Sequence, residues 1–197
     1  SHFLRNSGRY PLCGRGDVNL YAVFAEIFRL LLASEGRLGA VLPSGIATDD
    51  TTKYFFQDIV LTRSLVSYYD FENQKLLFRE VAPIVRFCLL TVRRSKTHIS
   101  STADFSYYSH SVENLALPER RFTLSPEEIT LLNPNTGTCP VFRCSTDAEL
   151  TKAIYRRVPV LIREAKDGQP EENPWGIKFS TMFHMSNDSH LFRTFEQ

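Results

Sequence analysis

The sequence predicts an α/β fold, and three observations carry the prediction. A set of apolar residues at helical spacing is followed at once by a short, continuously apolar run ended by Pro43. A second helix and two β-rich runs then complete the order helix, strand, helix, strand, strand by Val92. Beyond Arg93-Arg94 the texture changes to Ser, Thr, Tyr and His with little periodicity, before capped helices resume. The expected architecture is part of a sheet whose last two strands pair antiparallel, then a mixed α+β region, with a boundary between residues 95 and 96.

Each element has its own warrant. Leu20, Val23, Phe24, Ile27, Leu30 and Leu31 recur at helical spacing and define the first helix. Asp17 is expected to cap its free amides and Gly36 to stop it. Arg37-Leu-Gly-Ala-Val-Leu42 reads as a strand buried on both faces, hence parallel-sheet material that needs neighbours on both sides. Thr48 or Asp49 is expected to cap a helix running to about Leu61. Leu65-Val-Ser-Tyr-Tyr-Asp-Phe71 is strand-like, and after a polar turn at Glu72 to Lys75 the apolar run Pro83 to Val92 supplies its partner. Residues 95–120 read as a connector. Ser125-Pro126-Glu127-Glu128 joins a cap, a Pro at the first helical position and a capping-box Glu, opening a helix that ends near Asn133-Pro134. Thr146-Asp-Ala-Glu149 is a second capping box, for a helix to about Val158 closed by Pro159. Gly168, Pro170, Pro174 and Gly176 mark a loop, and no internal repeat is present.

Composition narrows the class. A chain of 197 residues with 43% apolar and 23% charged residues can bury a core and is not a disordered segment. Lys and Arg number 23 against 22 Asp and Glu, so a nucleic-acid partner must be met by local basic groups rather than by overall charge. No apolar run approaches the ~20 residues that span a bilayer, and no membrane partner is expected. The polar, glycine-rich opening does not read as a secretory signal, and a first residue that is not Met is expected of an excised piece. Cys13, Cys88, Cys139 and Cys144 form no dense framework, which points to a reducing cytoplasm.

Most familiar motifs read better as structure. There is no G-x-x-x-x-G-K-[ST] and no strand–G-x-G-x-x-G–helix. No G-x-S-x-G elbow occurs, and Ser44 lacks the glycine two residues before it. Cys139 and Cys144 with His184 and His190 have a zinc-like donor set, but at loose spacing and far apart, so no metal is expected. Asp49-Asp50 and Glu127-Glu128 suit helix N-termini, where negative charge is favoured. Basic groups gather at Arg93-Arg94-Ser95-Lys96, at Arg120-Arg121, and at Lys152, Arg156 and Arg157 on one helix, Lys152 and Arg156 sharing a face.

One compound signature resembles a known family. Asp17-Val-Asn-Leu-Tyr21-Ala-Val-Phe24, then Gly36-Arg-Leu-Gly-Ala-Val-Leu-Pro43, then Phe78-Arg-Glu-Val81 and Arg86-Phe-Cys-Leu-Leu-Thr-Val92, are similar to the second half of the catalytic domain in γ-type DNA adenine-N6 methyltransferases. The resemblance is to the large single-chain type IIG restriction–modification enzymes in particular. Leu132-Asn-Pro-Asn-Thr136, Thr138-Cys-Pro-Val-Phe-Arg143, Ile154-Tyr-Arg-Arg-Val-Pro159 and Asn173-Pro-Trp-Gly176 resemble the family's bridge to its target-recognition domain.

The resemblance implies the back half of a Rossmann-like methyltransferase sheet over residues 1–95, and a connector with the start of target recognition over 96–197. It implies double-stranded DNA as partner, S-adenosylmethionine as the parent's cofactor, and extrusion of the adenine from the helix stack. Phe78, by its motif position, would stack on the flipped base. Asn19, Tyr21 and Pro43 would build the cleft wall. Arg93, Arg94, Lys152, Arg156 and Arg157 would meet DNA phosphates, contacts that position the protein without reading sequence. The family's F-x-G-x-G cofactor turn and N-P-P-[YF] motif are absent here and in the family precede the N-L-Y helix. Catalytic residues and bound cofactor are therefore expected in an upstream remainder of a parent chain, and this piece alone is expected to be inactive. The alternative is a catalytically silent DNA-binding or assembly module.

Overall fold

The computed structural model describes residues 2–94, 100–166 and 168–193. Contacts divide it into two compact units, Ser1–Val158 and Pro159–Gln197. In chain order the first unit holds α1 (His2–Asn6), α2 (Leu20–Leu30), β1 (Arg37–Pro43), α3 (Gly45–Thr48), α4 (Lys53–Leu61), β2 (Leu65–Glu72), β3 (Arg86–Arg93), β4 (Ala103–Ser109), β5 (Phe122–Leu124), α5 (Pro126–Leu132) and α6 (Ser145–Tyr155). The second unit is largely exposed. It is held by the bridges Arg163↔Glu172 and Lys166↔Gln169 and by Trp175 Nε1 donating to Pro159 O at 3.2 Å.

The fold is mixed α/β around a five-stranded sheet in the order β1-β3-β2-β4-β5. β2 and β3 pair antiparallel, as the sequence predicts, with Tyr68 opposite Leu90 and Asp70 opposite Cys88. β3 also pairs antiparallel with β1, so it lies between two strands that run parallel to each other. β4 is parallel to β2, and β5 is antiparallel to β4. Tyr68, Leu90, Val92, Phe105 and Tyr107 of the sheet share a buried core with Phe55, Phe56 and Ile59 of α4.

Several expectations change. β1 is not buried on both faces: Leu42 is its only buried residue, Val41 is 54% exposed, and among the described residues the strand is paired on one side alone. Its apolar run is thus an uncovered edge in this chain. α2 begins at Leu20 with Asn19 at the cap position, not Asp17. It buries the small residues Ala22 and Ala25, which allow close approach, and Glu26, whose carboxylate accepts from Leu12 N and Cys13 N. The larger Leu20, Phe24 and Leu31 stay exposed, Leu31 at 75%. The helix expected after a cap at Thr48 or Asp49 ends at Leu61, but it opens as a 3-10 turn, Asp50–Thr52, with Asp49 at the cap position and no side-chain cap bond, and the short α3 before it was not expected.

The expected connector contains β4, so residue 95 falls between two strands of one sheet and the compact units divide at Val158 instead. Ser106 and Ser109 disguise β4, being buried and hydrogen-bonded to each other at 3.1 Å. The capping box at Ser125 forms in full, with Glu128 N donating to Ser125 Oγ and Ser125 N to Glu128 Oε2. The one expected at Thr146 does not, because α6 starts two residues earlier, with Cys144 at the cap position.

Candidate functional site

β1, β2 and β4 run in one direction, so their carboxyl ends share one edge of the sheet, together with the start of β3. In open α/β sheets that edge is where ligands bind, because strand ends and loops there leave backbone and side chains free to converge. Three features are built on it.

The first is the loop carrying Phe78. Asn73, fully buried at the end of β2, holds it from inside. Its Nδ2 donates to Phe78 O at 2.8 Å and Val81 O at 2.7 Å, while its Oδ1 accepts from Phe78 N at 2.9 Å. The Phe78 ring meets Phe87 edge-on at 4.9 Å, and Phe87 stacks on Phe71 at 5.4 Å. Phe78 nonetheless remains 44% exposed. A fixed main chain with an accessible ring offers a flat apolar face on which a planar group can stack, a contact that contributes about 1–3 kcal/mol for a nucleic-acid base.

The second is a buried carboxylate. Asp70 on β2 accepts from Ser44 Oγ at 2.5 Å, Arg86 Nη2 at 2.7 Å and Tyr108 N at 3.1 Å. Ser44 O in turn accepts from Tyr68 Oη at 2.8 Å. One side chain thereby ties the end of β1, the start of β3 and the end of β4 to β2. Burial opposes the charge of Arg86, but the hydrogen bond and charge of Asp70 outweigh it and raise the guanidinium above its ordinary range. No imidazole stands between Ser44 and Asp70, so the pair orders the edge rather than making a nucleophile.

The third is Tyr108. Its φ of 53° is left-handed, which costs a residue with a side chain on the order of 1–3 kcal/mol. Asp70 holds its N–H, and Arg120 Nη2 donates to Tyr108 O at 2.8 Å and Tyr107 O at 3.1 Å. The Arg86 guanidinium lies 4.6 Å from the centre of the Tyr108 ring and that of Arg143 6.0 Å. Arg143 arrives on a segment anchored by Cys139 N donating to Ala47 O at 2.9 Å and by Phe142, packed edge-on against Phe122.

The remaining residues named from sequence separate into two groups. Pro43 pairs with Phe87, which puts it beside the Phe78 loop. Tyr21 is half-buried, and its phenol is pushed up to about 12 by burial first, then by Asp49, Cys13 and Cys88. Asn19 is exposed and makes no side-chain cap. Arg93 and Arg94, by contrast, lie at the far end of β3, roughly 23 Å along the strand from Arg86. There they line a cleft of about 270 Å³ with Arg29, Leu30 and Leu32, and Arg94 Nη1 donates to Leu32 O. Ser95 and Lys96 lie outside the described residues.

Lys152 is 4% exposed and engaged by Glu128 at 3.3 Å and Glu149 at 2.6 Å, which removes it from contact with phosphate in this structure. Arg156 also pairs with Glu128, at 2.9 Å. Arg157 is exposed and forms no ion pair among the described residues. Asp70, Asn73, Arg86 and Tyr108 escape the sequence reading as site residues. The signal available for two of them was a polar side chain, Asp70 or Asn73, at the end of an otherwise apolar strand.

No family model matches the chain, and no curated protein matches it. Among solved structures it is similar to the type IIG restriction endonuclease BpuSI, with a TM-score of 0.47 and 15% identity over 62% of this chain. The match spans 16% of that enzyme's chain.

Proposed function

We propose that this chain is the back half of the catalytic domain, with its connector, of an S-adenosylmethionine-dependent DNA adenine-N6 methyltransferase of the type IIG restriction–modification kind. The observation that carries the reading is Phe78 itself. The residue that the F-x-x-V motif singles out stands on the carboxyl edge of the sheet, clamped by Asn73 through its main chain and exposed through its ring. In this reading the extruded adenine of double-stranded DNA stacks on Phe78, and Tyr21 and Pro43 wall the same cleft. The upstream remainder of the parent pairs along the open edge of β1, covers the exposed apolar residues of α2, and brings the cofactor turn and the N-P-P-[YF] motif.

The deciding experiment is to sequence the gene upstream of the codon for Ser1. The expected result is F-x-G-x-G followed by N-P-P-[YF] in frame. A start codon at that point, with neither motif in a neighbouring frame, would overturn the reading and favour a silent DNA-binding module. Within a parent, Phe78→Ala is expected to weaken extrusion of a 2-aminopurine placed at the target by about 5- to 100-fold while sparing cofactor binding, since one stacking contact contributes ~1–3 kcal/mol. Equal loss of both would make Phe78 a structural residue.

A further inference from the structure

Five arginines elsewhere in the chain each meet a carboxylate, Arg29 with Asp58, Arg63 with Glu127, Arg121 with Asp104, Arg156 with Glu128 and Arg163 with Glu172, while Arg157, Arg93 and Arg94 form no ion pair among the described residues. The carboxyl edge differs in its grouping. Arg86, Arg120 and Arg143 gather around Tyr108, and the one carboxylate bonded to this group, Asp70, is already committed to three donors. Glu72, at the same edge, is engaged by His110 at 3.1 Å and Gln74 at 2.8 Å. Arg143 is exposed and forms no hydrogen bond or ion pair among the described residues, touching only the Tyr108 ring. The Nε groups of Arg86 and Arg120 are buried with no acceptor. Donors left in surplus around a flat ring are the mark of a place that an anion completes.

The geometry points to Arg86, Arg143 and Tyr108 as a binding site for a phosphate group of the DNA backbone, at the same carboxyl edge as Phe78. The inference rests on the methyltransferase reading for its ligand, and on geometry alone for its chemistry. Arg86 immediately precedes Phe87, whose ring touches Phe78; successive side chains leave a strand on opposite faces, so the phosphate site and the stacking platform share the carboxyl edge but not a face of the sheet. Arg93 and Arg94 cannot serve the same phosphate, being at the strand's other end. The division of labour follows from the anchoring. Asp70 fixes Arg86 in one orientation, whereas Arg143, free of ion pairs, is able to turn its planar fork to two phosphate oxygens. Such contact holds the DNA backbone without reading sequence.

The test is fluorescence anisotropy of a labelled duplex with the 197-residue chain across a sodium chloride series, for wild type, Arg143→Ala and Arg143→Lys. Arg143 is exposed, so both variants should fold. Arg143→Ala is expected to weaken binding about 5- to 10-fold near 0.1 M salt, and to lower the slope of log K against log salt by about 1. Arg143→Lys should restore the slope and only part of the affinity, because charge returns without the fork. A parallel titration with inorganic phosphate at constant ionic strength, read from the Arg143 guanidinium resonance, separates site from ligand. Duplex binding unaffected by Arg143→Ala, with no phosphate shift, overturns the site and leaves the DNA reading standing. A phosphate shift without duplex binding keeps the anion site and overturns its DNA ligand. Neither response overturns both.

Discussion

Removing the Asp70 carboxylate would leave Arg86 part-buried against Tyr108 without its counter-charge, and Ser44 Oγ and Tyr108 N without an acceptor. Asp70→Ala is expected to cost ~3–5 kcal/mol in urea unfolding, as breaking a buried pair does, and Asp70→Asn less, since an acceptor remains. Buried acids set a second expectation at this scale. Burial raises the Cys88 thiol from 9.0 to about 12, and the Tyr21 phenol from 10.0 to about 12. Below pH 9 both groups are protonated whether the chain is folded or not. Between pH 9 and about 12 the unfolded chain gives up these protons and the folded one keeps them, so stability falls as pH rises through that window. Urea midpoints measured from pH 8 to 11 check the direction; a rising midpoint would contradict it. Phe78 could be named from sequence because a short motif marks it. Asp70 could not, because its partners stand 26, 16 and 38 residues away, and only the sheet brings them together.

At the scale of elements, local chemistry decided which expectations survive. The box at Ser125 forms because Pro126 and Glu128 agree with the cap on where the helix begins. At residue 146 the cap was read from Thr146 and Glu149, but Ser145 is already helical, so Thr146 has no orphan amide to serve. Ser125→Ala should therefore cost about 0.5–2 kcal/mol by thermal or urea unfolding, and Thr146→Ala close to nothing. The antiparallel pair β2–β3 was readable from two apolar runs joined by a polar turn. β4 was not, since a strand that buries Ser106 and Ser109 against each other lacks the apolar alternation that marks a half-buried strand. The short α3 before Asp49 was likewise hidden. Thr52 Oγ1 donates back to Gly45 O at 2.6 Å, a contact that needs the chain to turn between α3 and α4.

Across the whole molecule, the sheet is asymmetric. Its β5 side is closed by Phe122, Leu124 and the packing of Phe142, all buried, while β1 presents an unpaired row of amides and carbonyls among the described residues. The sequence announced this only indirectly, as an apolar strand with too few neighbours. Whatever covers β1 in the cell, the edge governs how the chain behaves in a tube. An open strand flanked by exposed Val41, Phe24 and Leu31 is a template for pairing with any other extended chain, including its own copies. Light scattering should rise with protein concentration and with time, and guard charges should suppress it: Val41→Lys is expected to keep the urea midpoint and restore monomer on a sizing column. Scattering unchanged by Val41→Lys would move the sticky surface elsewhere. A shelf life set by one strand would make purification with a complementary strand, rather than at low concentration, the practical way to handle this protein.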